Sequence, residues 1–148
     1  MSAASGQRRE VLVLNPSRYP EAGAARLGPW LRPLLDELAP AGGSFALRLA
    51  GDRTLRRLNR DFRGRDAVTD VLSFPGGEGP EGRHLGDVVI SVPAARRQAA
   101  AAAHPVAREL RLLALHGLLH CLGHDHETDR GEMTRLERRL RQRWLDRE

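Results

Sequence analysis

The stretch VARELRLLALHGLLHCL, Val106 to Leu122, is apolar on nearly every face of the helix it would form. Such a helix has no side to give to water, so it must run through the middle of a fold with other elements packed around it. It also carries His116 and His120, and two further histidines follow at His124 and His126, out of six in the chain. Any reading of this sequence has to explain both the buried helix and its histidines.

The rest of the chain supplies elements to surround that helix. Val11 to Leu14 reads as a short strand, and Pro20 to Ala39 as broadly helical, interrupted or kinked at Pro29 and Pro33. Ser44 to Ala50 alternates apolar and polar residues and reads as a strand. Asp52 is placed to cap a helix in which Leu55, Leu58 and Phe62 recur at helical spacing. Asp70 to Pro75 is expected to be a strand ended by its proline. Gly76 to Gly82, with four glycines, is expected to form a mobile loop. Leu85 to Ser91 reads as another strand. Helices are expected from Pro93 to near Ala103, from Pro105 to near Leu122, and from Asp129 to near Trp144. The last opens with Asp129 and Glu132 in capping-box spacing, and the alanine run Ala99 to Ala103 reads as ordinary helix. The expected fold is α+β. It is a single compact domain over residues 1–148, with about four strands in a mixed sheet, about five helices, and a central buried helix carrying metal ligands.

His116 and His120 are four residues apart, so their side chains leave the same helix face, roughly 6 Å apart along the axis and about 40° apart around it. That is chelating geometry. Gly123 supplies a position at which a helix commonly ends in the left-handed conformation, after which His126 can return toward the first two. The pattern H-x-x-x-H-x-x-G-x-x-H is the ligand skeleton of the metzincin metalloproteases, except that Gly117 stands where those enzymes carry the catalytic glutamate. Three neutral imidazoles with an open fourth position suit a catalytic Zn2+, one per chain, and nickel or copper would also accept them. His124 reads as a solvent-facing or supporting residue in preference to one with a direct catalytic role, and it is not expected to share the metal. Asp125 either orients a ligand imidazole or is a loop-surface carboxylate. Cys121, about 100° from His120 around the helix, reads as core.

The chain has 24 basic and 19 acidic residues, a net charge of +5, and every basic residue is arginine. Seven arginines and two aspartates lie between Arg48 and Arg65, so the charge is concentrated there. An acidic partner, nucleic acid above all, is expected. Cys121 is the sole cysteine, which excludes an intramolecular disulfide. Four consecutive apolar residues before Asn15 are too few for a signal-peptide core or a membrane span, so a cytoplasmic protein without membrane contact is expected. With six aromatic residues in the chain, and Phe45, Phe62 and Phe74 expected in the core, stacking platforms for single-stranded RNA are not evident.

HGLLHCLGHDH, His116 to His126, resembles the signature of the YbeY family, bacterial rRNA maturation factors that are single-metal endoribonucleases. LNRDFRGRDAVTDVLSFP, Leu58 to Pro75, and LGDVVIS, Leu85 to Ser91, resemble two further blocks of the same family. Val68 departs from a common proline and His124 from a common tyrosine. The resemblance implies hydrolysis of phosphodiester bonds in ribosomal RNA, with His116, His120 and His126 holding zinc and Arg63 as the functional arginine. The ribosome or its proteins would be partners. Taken alone, Arg63 reads as a surface arginine beside a basic helix. Two rival functions stand beside this one. A metallopeptidase fits the histidine spacing but lacks the glutamate base. A non-catalytic ribosome-assembly factor would need a structural zinc site, and such sites are normally closed by four protein ligands.

Overall fold

Alternation decides which side of each strand is buried. In a computed structural model, which describes residues 9–15, 18–20, 26–125 and 128–146, the strands are β1 (Arg9–Leu14), β2 (Gly43–Ala50), β3 (Val71–Gly79) and β4 (Gly82–Ser91). They form one mixed sheet in the order β1-β2-β4-β3, with β1, β2 and β4 parallel and β3 antiparallel to β4. Phe45, Leu47 and Leu49 of β2 and Val88 and Ile90 of β4 point to one face and enter the main core. Ala50, Leu72 and Val89 point to the other. A residue period of two produces this division.

The main core lies under helices α1 (Leu27–Leu38) and α4 (Val106–Cys121), joined by α3 (Val92–Ala102) and α5 (Glu132–Trp144). Leu31, Leu34 and Leu35 of α1 and Leu110, Leu115, Leu118 and Leu119 of α4 are fully buried. At roughly 1.5–3 kcal/mol per buried aliphatic side chain, this layer supplies most of the hydrophobic drive to fold. Among the described residues, the second face carries only α2 (Asp52–Arg63), whose Leu55 and Leu58 cover Ala50, Leu72 and Val89. The expected α+β arrangement of four strands and five helices is therefore present, with α4 at its centre.

Five local expectations change. Pro29 and Pro33 do not interrupt α1, which runs continuously from Leu27 to Leu38. Pro29 lies in the first turn, where an N–H would have no intrahelical partner, and the buried leucines on either side of Pro33 outweigh its missing hydrogen bond. Residues 21–25 of the expected Pro20–Ala39 helix lie outside the described residues. The glycine-rich segment from Gly76 to Gly82 is not a loop but the tip of a long hairpin, with Gly77 opposite His84 and Glu78 opposite Arg83. A side chain at Gly76 would run into the His84 carbonyl, so this glycine serves close strand approach rather than breaking the strand. Pro75 sits inside β3, which tolerates it as an edge strand. The cap of α2 is Gly51 rather than Asp52. Asp52 is instead bonded to Ser91 and Arg97. The last helix begins at Glu132, with Asp129 accepting from Gly131 N and Met133 N and Glu132 accepting from Arg130 N. These bonds satisfy backbone N–H groups around the start of the helix, but with Gly131 rather than Asp129 at the cap position, so they are not the expected capping box.

Candidate metal and phosphate site

Close packing of α4 on the sheet sets the geometry. A Cβ at Gly117 would lie 2.7 Å from Val88 Cγ1 and 3.1 Å from Ser73 Oγ, so only a glycine lets the helix sit this near β3 and β4. Its neighbours His116 and His120 are left half-buried at the rim of the helix. Their Nε2 atoms face each other at 3.2 Å, with ring centroids 4.7 Å apart. Two imidazole nitrogens on one tetrahedral zinc, each about 2.0–2.1 Å from it, are about 3.3 Å apart. The pair already has the separation a single cation requires.

A residue the sequence did not point to orients this pair. His116 Nδ1 donates to Glu137 Oε1 of α5 at 2.9 Å. A carboxylate only accepts, so the proton is on Nδ1 and the Nε2 lone pair is directed at His120. Carboxylate support of this kind fixes the tautomer of ligand histidines. The hydrogen bond to Glu137, with Asp70 contributing at longer range, raises the His116 pKa above the usual imidazole value.

The chain reverses after α4 as Gly123 suggests. Gly123, at φ 98°, follows the last turn, Gly123 N bonds His120 O, and His124 N bonds Leu119 O. This is the Schellman arrangement. His126, expected as the third ligand, lies outside the described residues. Among the described residues, no group of three or more histidine, cysteine or acidic side chains forms a metal cage. His124 lines a separate surface groove with Leu38, Glu78, Arg83 and Leu122. Cys121 is buried, and burial, with Asp87 adding to it, pushes its thiol up to about 11. It is a protonated core residue at neutral pH.

Arg63 ends α2 and reaches the edge strand, where Nη2 donates to Ser73 O at 2.9 Å. Ser73 Oγ in turn donates to Gly117 O at 2.9 Å. Two hydrogen bonds therefore connect the guanidinium to the histidine helix. The turn after Arg63 is held by Asn59, only 7% exposed, whose side chain donates to Ala67 O at 3.0 Å. Thr69 and Asp70 follow in that turn, and Gln98 donates to Asp70. Ser73 and Asn59 thus act as supports, a role that strand and helix periodicity do not reveal.

Fold and site define a small α+β protein in which a central helix presents a close histidine pair and is joined through Ser73 to an arginine at the sheet edge. Residues 27–145 match the family described as Endoribonuclease YbeY. The chain belongs to that family. A relative of that description from Solibacter usitatus is 54% identical over 100 residues, covering 68% of this chain and 65% of its own length. One from Myxococcus xanthus is 46% identical over 123 residues, covering 79% of this chain and 42% of its own. One from Thermus thermophilus is 43% identical over 122 residues, covering 80% and 88%. The chain thus spans less than two thirds of the Solibacter and Myxococcus relatives. A solution structure of a Thermotoga maritima protein shares the fold, with a TM-score of 0.56 at 21% identity over 93% of this chain and 92% of the other.

Proposed function

We propose that this protein is a metal-dependent endoribonuclease that acts on single-stranded RNA, with ribosomal RNA as substrate, in maturation of the small-subunit 3′ end and ribosome quality control. Family membership supports the reaction class. The observation that carries the reading is the pair of Nε2 atoms at 3.2 Å with the Glu137 carboxylate behind one ring. His116 and His120, with His126, would hold one zinc ion. When bound, the metal supplies a water acidic enough to ionise near neutral pH and a charge that polarises a phosphoryl oxygen. Glu137 keeps the Nδ1 proton of His116 in place so that Nε2 stays a donor of electrons. Arg63 offers a planar fork of five N–H donors, one engaged by Ser73 O; the others suit the non-bridging oxygens of a phosphodiester as negative charge builds on them.

The steric surroundings of Gly117 count further against the peptidase alternative. A glutamate there would have to enter space already occupied by Val88 and Ser73, so no general base fits at that position. The test uses two variants of the full chain. His120→Ala should lose bound zinc and cleavage together. Arg63→Ala should keep zinc and fold while losing about 10² to 10³ in rate, and Arg63→Lys should recover only part of it. A wild-type protein that binds no zinc, or an Arg63→Ala variant that cleaves RNA at the wild-type rate, would overturn this assignment.

A further inference from the structure

Phe62 is not in the core. It shares the helical phase of Leu55 and Leu58 on α2, yet it is 67% exposed while Leu55 is fully buried. Its ring makes edge contact with Phe74 of β3, with centroids 5.5 Å apart at 77°. Between this end of α2 and the second face of the sheet lies an open groove of about 280 Å³. Phe62 and Leu58 form its roof, Ala46 and Val89 its floor, and Arg48 and Asp87 its polar positions. An aromatic ring on the edge of such a groove keeps its apolar face in water unless something enters beneath it.

We infer that this groove takes an unpaired RNA base, stacked on Phe62, from the nucleotide next to the phosphate at Arg63. The inference rests on the endoribonuclease reading above. Three observations favour a base over an apolar protein segment. Arg63 reaches Ser73 O and Phe62 touches Phe74, adjacent residues of β3, so a strand whose phosphate lies at Arg63 carries its neighbouring base past Phe62. Arg48 lines the groove with no carboxylate paired to it among the described residues, which suits a phosphate chain at the mouth. The Asp87 carboxylate, held by His84 Nε2 at 3.0 Å, would repel a phosphate but accepts from the amino edge of a base. Aromatic stacking is tolerant of base identity because every base has a π face.

The test compares wild type with Phe62→Ala, Phe62→Leu and Phe62→Trp for binding to short single-stranded RNA oligomers. Each intact oligomer is paired with a set in which one abasic ribose is walked along the strand. Loss of one stacked base typically weakens binding about 5- to 150-fold. Phe62→Ala and Phe62→Leu should lose affinity in that range, Phe62→Trp should keep it, and the abasic penalty at one position should vanish in Phe62→Ala. Wild-type affinity in Phe62→Leu would mean that no aromatic stack is needed and would overturn the proposal. An abasic penalty unchanged in Phe62→Ala would also overturn it. Cleavage of the same oligomers is followed in parallel: RNA that is bound with the Phe62 dependence but never cut sinks the endoribonuclease reading alone. RNA that is cut equally well by every Phe62 variant, with unchanged affinity, sinks the stack alone.

Discussion

Glu137 separates an oriented histidine from a packed one. It lies 21 residues beyond His116 on another helix, and its carboxylate fixes which ring nitrogen carries the proton. Removing such a partner typically lowers metal affinity about 10- to 100-fold. Glu137→Ala should therefore weaken zinc binding by that factor in a competition titration with a coloured chelator, and an unchanged affinity would remove Glu137 from the site. Gly117 works through steric fit instead. The added methyl of Gly117→Ala would meet Val88 Cγ1 at 2.7 Å on a buried strand that has little room to move. Overpacking of this kind costs about 1–3 kcal/mol. Urea unfolding should show a lower midpoint with an unchanged slope; a midpoint equal to wild type would mean that the helix can lift off the sheet without cost.

At the scale of elements, Asp52 ties two helix starts together. Its carboxylate accepts from Ser91 Oγ at 2.6 Å and from both terminal nitrogens of Arg97 at 3.0 and 3.2 Å, while Ser91 Oγ accepts from Ala94 N at the start of α3. The Arg97 hydrogen bonds, followed by that of Ser91, hold the Asp52 carboxyl below the usual carboxylate value. A depressed folded-state pKa adds stability above the unfolded value, about 3.9, and that stability is lost as pH falls through the folded value. Because Arg97 is largely exposed, solvent screening limits the contribution to about 1 kcal/mol. Asp52→Asn should be less stable than wild type by that amount at neutral pH, with the difference closing in acid. Denaturant titrations at both ends of this range would show it, and a difference that persists in acid would mean that the charge of Asp52 is not what stabilises the pair.

Across the whole molecule, the arginines divide by pairing. Arg56 is tied to Asp66 and Arg60 to Asp61, whereas among the described residues no carboxylate pairs with Arg48, Arg53, Arg57 or Arg65. The second set can exchange counterions for RNA phosphates at lower cost. For single strands, each neutralised phosphate adds about 0.7 to the slope of log affinity against log salt. Replacing Arg48, Arg53, Arg57 and Arg65 with glutamine should flatten that slope by about 0.7 for every phosphate no longer neutralised, while replacing Arg56 and Arg60 should change it little. Equal effects from the two sets would show that pairing in the free protein has no bearing on RNA binding. Among the described residues no helix is long and apolar enough to cross a membrane.

Sequence alone determined the features that depend on neighbours along the chain. The period of two in Ser44 to Ala50, the all-round apolar character of Val106 to Leu122, the shared face of His116 and His120, and the stop at Gly123 all follow from local dihedral preferences and side-chain spacing. Tertiary structure decided what each face meets. Phe62 carries the same helical phase as Leu55, and only the extent of sheet beneath α2 leaves one buried and the other exposed. The glycines from Gly76 to Gly82 read as a loop until the opposite strand is in place to pair with them and, at Gly76, to leave no room for a side chain. Glu137 looks like any other acidic residue on an arginine-rich helix until α5 packs beside α4 and sets its carboxylate against His116. Burial and pairing are set by residues far apart in sequence, and no local pattern encodes where a distant element will end.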